Sequence, residues 1–305
     1  TSLFDAISNE NIDFLKIILS KDNYINLNKC KKWTFNLGNE ELRYLSPLFL
    51  AILKQNTEII SLLLNHPSIN VNFSFRPNIV RSTQRTALHL AILLENVPIV
   101  KLLLNHPGID LNIRANFDES TYRFDQWSKT SHFDIYFTPL QEAIELENVE
   151  IMKLLLKNPN ISVNEIEAYD LYDDAIKNSF DRVKQTALCR AIQKKNYELV
   201  KLLLDHPEID VNMPAIFHSN ATRNVDFEYD DEDYEIGDFG DFDEYEIDEY
   251  DVIIKKSPLQ FAYESRSQEI IQLLLNRDDI KNGLEKDGKN DWSIKVFTEN
   301  INEKH

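Results

Sequence analysis

Glycine is nearly absent, with 6 residues in 305. Phosphate-cradling loops of the GxGxxG or GxxxxGK type need several glycines close together, and no stretch supplies them. Cysteine is as scarce: Cys30 and Cys189 are too few for a disulfide framework or a thiolate zinc site. Basic residues are in the minority, 33 Lys and Arg against 51 Asp and Glu, for a net charge of −18. A general binder of phosphate backbones needs a basic footprint, so no nucleic-acid partner is expected. Neither GxSxG, HExxH nor CxxC occurs, nor an EF-hand loop, so no enzyme, cofactor or metal is expected. No run approaches the roughly 18 apolar residues of a membrane helix, and the first residues show no signal-peptide pattern. The expectation is a soluble cytoplasmic or nuclear chain, without a membrane partner. The start at Thr1 suggests a fragment or a processed chain.

What the chain does have is repetition. SPLFLAILKQNTEIISLLLNHPSINVN at 46–72 returns as TALHLAILLENVPIVKLLLNHPGIDLN at 86–112. It returns again at 138–164 and 186–212, more weakly at 257–282, and with one extra residue at 1–28. In each block Thr or Ser precedes Pro or Ala, the signature of an N-cap and first helical turn. Leu88 and Ala91 then share one helix face. Ile99, Val100, Leu102, Leu103 and Leu104 make a second apolar run, which Pro107 stops. One helix pair cannot bury both apolar faces, whereas stacked pairs share a continuous core. Leu63, Leu103, Leu155, Leu203 and Leu274 are equivalent and are all expected to be buried. Asn11, Asn56, Asn96, Asn148 and Asn196 stand where the first helix ends, and Asn tolerates the left-handed conformation that ends helices.

These blocks resemble ankyrin repeats: the [ST]-[PA]-L-x-x-A opening and the LLL run match that family's pattern at constant internal spacing in six copies. The resemblance implies an all-α core, a single solenoid of stacked antiparallel helix pairs spanning 1–305, with β-hairpin or loop fingers projecting between pairs. The family has Gly one position before the asparagine. Here Gln55, Glu95, Glu147 and Lys195 stand there, which reads as a shifted turn.

The array departs from the family's period of about 33 residues. Copies start at 1, 46, 86, 138, 186 and 257, and the excess falls in the fingers. Residues 29–45, 73–85, 113–137 and 165–185 are rich in aromatic and β-branched residues rather than in the Gly and Ser of flexible linkers. They read as ordered fingers, either packing on one another or touching a partner. Arg76, Arg81, Arg85 and Trp127 are the candidate partner contacts within them. The fifth insert, Asp226–Asp251, carries 15 acidic residues, 7 aromatics and no base; without it the net charge is −3. Such a run repels itself, and a mobile solvated loop is one reading. The other is a docking strip for a basic protein, with Tyr229, Tyr234, Phe239, Phe242 and Tyr245 as anchors. A third reading is a mimic of nucleic acid that masks a basic groove. Residues 283–305 read as a terminal cap around Trp292, Ile294, Val296 and Phe297.

The resemblance also points to a function: a non-catalytic scaffold or adaptor module that binds a protein along its concave face. The variable concave pairs in that family correspond to Leu53 and Lys54, Leu93 and Leu94, Glu145 and Leu146, Gln193 and Lys194, and Glu264 and Ser265. Leucines in the second to fourth copies beside polar residues in the later ones suit a protein ligand. Alternatively the fingers fold down and cover those leucines. Oligomeric state is left open.

His66, His106 and His206 invite a metal reading, since each precedes a proline. Stacked helices lie about 8–10 Å apart, so equivalent residues of neighbouring copies cannot share an ion. They are expected to cap helix ends. His89 is expected to bond groups near its helix start, and Cys189 to fill the core. Asn72, Asn112, Asn164 and Asn212 are expected to bond turn backbone. The family resemblance adds that asparagines of this type can be hydroxylated.

Overall fold

A computed structural model describes residues 3–21, 25–37, 40–74, 85–118, 134–170, 182–220 and 251–280. Its helices come in consecutive pairs: α1 (Leu3–Ser8) with α2 (Ile12–Lys21), α3 (Pro47–Leu53) with α4 (Thr57–Leu64), and α5 (Ala87–Leu93) with α6 (Val97–Leu104). There follow α7 (Pro139–Glu145) with α8 (Val149–Leu156), α9 (Ala187–Gln193) with α10 (Tyr197–Leu204), and α11 (Pro258–Ser265) with α12 (Gln268–Leu275). First helices pack on first helices and second on second, which makes a helical solenoid. Leu63, Leu103, Leu155, Leu203 and Leu274 are all fully buried, as their equivalence requires.

Each first helix starts as the sequence dictates. Ser46, Thr86, Thr138, Thr186 and Ser257 are extended, and their hydroxyls accept the N–H three residues on. The turn to the second helix is not shifted, contrary to expectation. The left-handed residue is the one before each asparagine, and before Ser267 in the last pair: Glu10, Gln55, Glu95, Glu147, Lys195 and Arg266 have φ of 50–57°. Gln55 N–H donates to Ile52 O and Asn56 N–H to Ala51 O, the paired bonds of a Schellman ending. The asparagine is extended instead, and its Oδ1 caps the second helix; Asn56 Oδ1 accepts from Ile59 N–H at 3.1 Å. Asn satisfies an orphan donor there, a stronger use than its tolerance of positive φ.

Among the described residues, every finger except the one at 73–85 contributes strands. β1 (Lys31–Leu37) and β2 (Glu40–Leu45) form a separate antiparallel hairpin. β3 (Ala115–Asp118), β4 (Asp134–Phe137), β5 (Ile166–Asp170), β6 (Arg182–Thr186), β7 (Ala215–Asn220) and β8 (Asp251–Lys256) join in that order into one antiparallel sheet. The hairpins of three successive fingers therefore pair with one another through β4–β5 and β6–β7. At the root of the sheet Ala115, Phe137, Gln185 and Ala215 are buried. Two residues further out, the backbone register pairs Phe117, Ile135, Tyr169, Val183, Phe217 and Ile254 in turn across the sheet.

Candidate functional site

The inner face is built from the exposed side of the first helices and the sheet that rises from them. Lys256 fixes which side of the sheet looks inward: its ammonium lies 5.9 Å from the Phe261 ring and 3.0 Å from Glu264 Oε1, both on α11. On the helices, Leu93, Leu94 and Leu146 are half-buried, Lys54 and Lys194 are half-buried, and Gln193 is exposed.

Two sequence-predicted contacts are not at the surface. Leu53 is 7% exposed and belongs to the buried core, unlike its half-buried equivalent Leu93. Arg85 is 1% exposed, because it immediately precedes the Thr86 cap, where the finger meets the helix layer. Neither side chain is offered to a partner. Arg76, Arg81, Trp127, Tyr229, Tyr234, Phe239, Phe242 and Tyr245 lie outside the described residues, as do the acidic insert up to 250 and the cap at 283–305. Among the finger aromatics, Trp33 packs on the chain itself, stacked on Phe4 of α1 at 6.4 Å with Lys31 over both rings.

A charged cluster on the inner face was not foreseen. Glu145 bonds Arg190 and, through Oε2 at 2.9 Å, Lys194; its own side chain is only 2% exposed. Lys194 Nζ also donates to the Glu145 main-chain oxygen at 3.2 Å. Burial alone would push the Glu145 carboxyl up, but hydrogen bonds and charge from Arg190 and Lys194 outweigh it and hold it below the usual carboxylate value. The signal was present in the sequence: Glu145 and Arg190 stand where other copies carry Leu53, Leu93, Leu50 and Leu90.

His89 is buried with both ring nitrogens engaged. Nδ1 lies 2.7 Å from Thr86 Oγ1 and accepts from Thr86 N–H, while Nε2 lies 3.2 Å from Phe137 O at the end of β4. This ties one helix start to the next finger. Burial pushes its pKa down to about 3; the Phe137 carbonyl opposes that fall and the Arg85 charge adds to it. Gln141 occupies the equivalent place, with its Nε2 donating to Glu165 O at 3.2 Å. Such neutral, fully bonded groups hold the frame and offer no base to a substrate.

His66, His106 and His206 each accept the N–H two residues on at Nδ1, at 3.2, 3.1 and 3.3 Å. They stiffen the turn after the second helix. Among the described residues no group of His, Cys, Asp and Glu could hold a metal ion. Cys189 is buried, with Sγ 3.9 Å from Met213 O. The loop asparagines reach further than expected: Asn72 Nδ2 donates to Gly108 O at 2.7 Å and its Oδ1 accepts from Asp110 N–H. Asn112 and Asn164 do the same to the next loop, so these side chains bond successive pairs together.

The family described as "Ankyrin repeats (3 copies)" matches residues 3–115 and 126–215, and the chain belongs to it. Ankyrin repeat domains are in general non-catalytic protein–protein interaction modules. No curated protein matches the chain in sequence. Among solved structures, an ankyrin repeat domain from Acinetobacter baumannii AYE is similar at 20% identity and TM-score 0.48, over 90% of this chain and 95% of that one. The ankyrin repeat protein EF0377 is similar at 15% identity and TM-score 0.49, over 90% and 97%. The human ASB11 ankyrin repeat domain is similar at 17% identity and TM-score 0.43, over 90% and 83%. No described helix is long and apolar enough to cross a membrane.

Proposed function

We propose that the chain is a non-catalytic adaptor that binds a protein partner along its inner face. The observation that carries this reading is the half-buried set Leu93, Leu94 and Leu146, beside Lys54, Gln193 and Lys194, on first helices that stack one on the next. Apolar area with a polar border is the anatomy of a protein interface. The acidic insert extends this reading: its carboxylates steer a basic surface of the partner, and its aromatics anchor it. Leu93→Glu with Leu94→Glu should abolish partner capture while leaving the helical circular dichroism intact. Undiminished capture by that folded variant would end the reading. For the insert, removal of 226–251 should lower the association rate at low salt and leave the melting temperature nearly unchanged; equal rates would leave it without a role in binding.

A further inference from the structure

The C-caps of four consecutive first helices form a row along the inner face. Lys54 ends α3, Leu94 ends α5, Leu146 ends α7 and Lys194 ends α9, all with the same right-handed backbone. Each of the four is half-buried. First helices pack on first helices in sequence, so each residue stands one helix spacing, about 8–10 Å, from the next. The row therefore reads cation, apolar, apolar, cation. Lys54 has no ion pair among the described residues. Lys194 directs two of its three ammonium hydrogens at Glu145, to Oε2 at 2.9 Å and to the main-chain oxygen at 3.2 Å, and its side chain stays 26% exposed. With Arg190 it sets two cations against that one buried carboxylate, so net positive charge remains at this end. In the middle the sign reverses: Glu95 and Glu147, both exposed, directly follow the two leucines.

We propose, resting on the reading that the inner face binds a protein, that its ligand is a polyproline II segment with acidic side chains at positions i and i+9 and apolar ones at i+3 and i+6. A polyproline II chain has three residues per turn and rises about 3.1 Å per residue, so every third side chain shares a face at about 9 Å. That repeat matches the spacing of the row. In a β-strand, residues three apart point to opposite faces. Two turns of α-helix advance about 11 Å, beyond the spacing of the row. Lys54 and Lys194 take the two carboxylates, and Leu94 and Leu146 take the apolar side chains between them. Glu95 and Glu147 repel acids placed in the middle, so the order of the ligand's residues matters as well as its composition.

Fluorescence anisotropy with a labelled, end-capped peptide, Glu-Pro-Pro-Leu-Pro-Pro-Leu-Pro-Pro-Glu, tests this on the full 305-residue chain. The salt is about 0.15 M, which confines the field of the acidic insert to about 8 Å. Saturable binding is expected, and reordering the same residues to break the three-residue spacing should weaken it by at least about tenfold. Lys54→Glu should weaken it by about as much with the circular dichroism unchanged, and a peptide with one terminal Glu replaced by Lys should recover binding to that variant. No binding up to about 1 mM peptide would overturn the proposal. So would equal binding of the reordered peptide, or binding indifferent to Lys54→Glu. Capture by the Leu93→Glu, Leu94→Glu variant judges the broader reading separately. Lost capture without peptide binding overturns only the ligand proposed here, and undiminished capture overturns both.

Discussion

Asn148 donates its Nδ2 hydrogen to Glu95 Oε2 at 2.8 Å, across the joint between consecutive helix pairs. Glu95 is the left-handed residue that ends α5, and Asn148 is the cap that starts α8. Asn56 to Glu10, Asn96 to Gln55 and Asn196 to Glu147 repeat the bond at 2.9, 3.2 and 3.0 Å. A long polar side chain thus stands where glycine would relieve the backbone, and it reaches the next pair.

Glu95→Ala should therefore cost about 1 kcal/mol, since it keeps the left-handed strain and loses the bond. Glu95→Gly should recover most of that loss, because glycine relieves φ by a similar amount. Urea titration of both variants checks the pair. A glycine variant less stable than the alanine one would contradict the reading.

Acid should destabilise the fold first through His89. Its folded pKa, about 3, lies below the unfolded value of 6.5, so the unfolded chain binds the proton first. The stability it contributes is complete above pH 6.5 and is lost as pH falls toward 3, at up to about 1.4 kcal/mol per pH unit. His89→Gln, which copies Gln141, should flatten that part of the pH–stability curve. An unchanged slope would show that another group titrates there.

The Glu145 cluster acts lower on the scale. Its carboxyl is held below the ordinary 4.5, so its contribution is present above 4.5 and fades as pH falls beneath it. Glu145→Gln should remove that fall and cost about 1–3 kcal/mol at neutral pH, since Arg190 and Lys194 lose their counter-charge. Thermal melts at pH 7 and below 4.5 separate the two effects.

Leu103→Ala should cost about 2–5 kcal/mol, the cost of a cavity at a fully buried joint, read from chemical denaturation. A loss under 1 kcal/mol would mean that neighbouring pairs close over the gap.

The stack was legible in the sequence because cap, apolar spacing and LLL run recur in register, and Leu63 and its equivalents are buried as that recurrence demands. The turn was misread because Asn suits both a left-handed ending and an N-cap; only the backbone distinguishes them, at Asn96 and Glu95. Arg85 was misplaced for a different reason. An arginine in a long insert reads as surface, yet the residue directly before the cap is packed against the helices, as Leu45, Phe137 and Gln185 are at the equivalent place. Pairing of β4 with β5 joins residues as far apart as Asp134 and Asp170, and no local pattern encodes such a register.

On the proposed function, the inner face meets a protein partner. A photo-crosslinking amino acid at Leu94 on that face, compared with one at Ser61 on the outer helix α4, tests it most directly. In an extract of the cells that make the protein, the account predicts one dominant protein adduct from position 94 and none from position 61. Adducts from position 61 alone, or from neither, would contradict it.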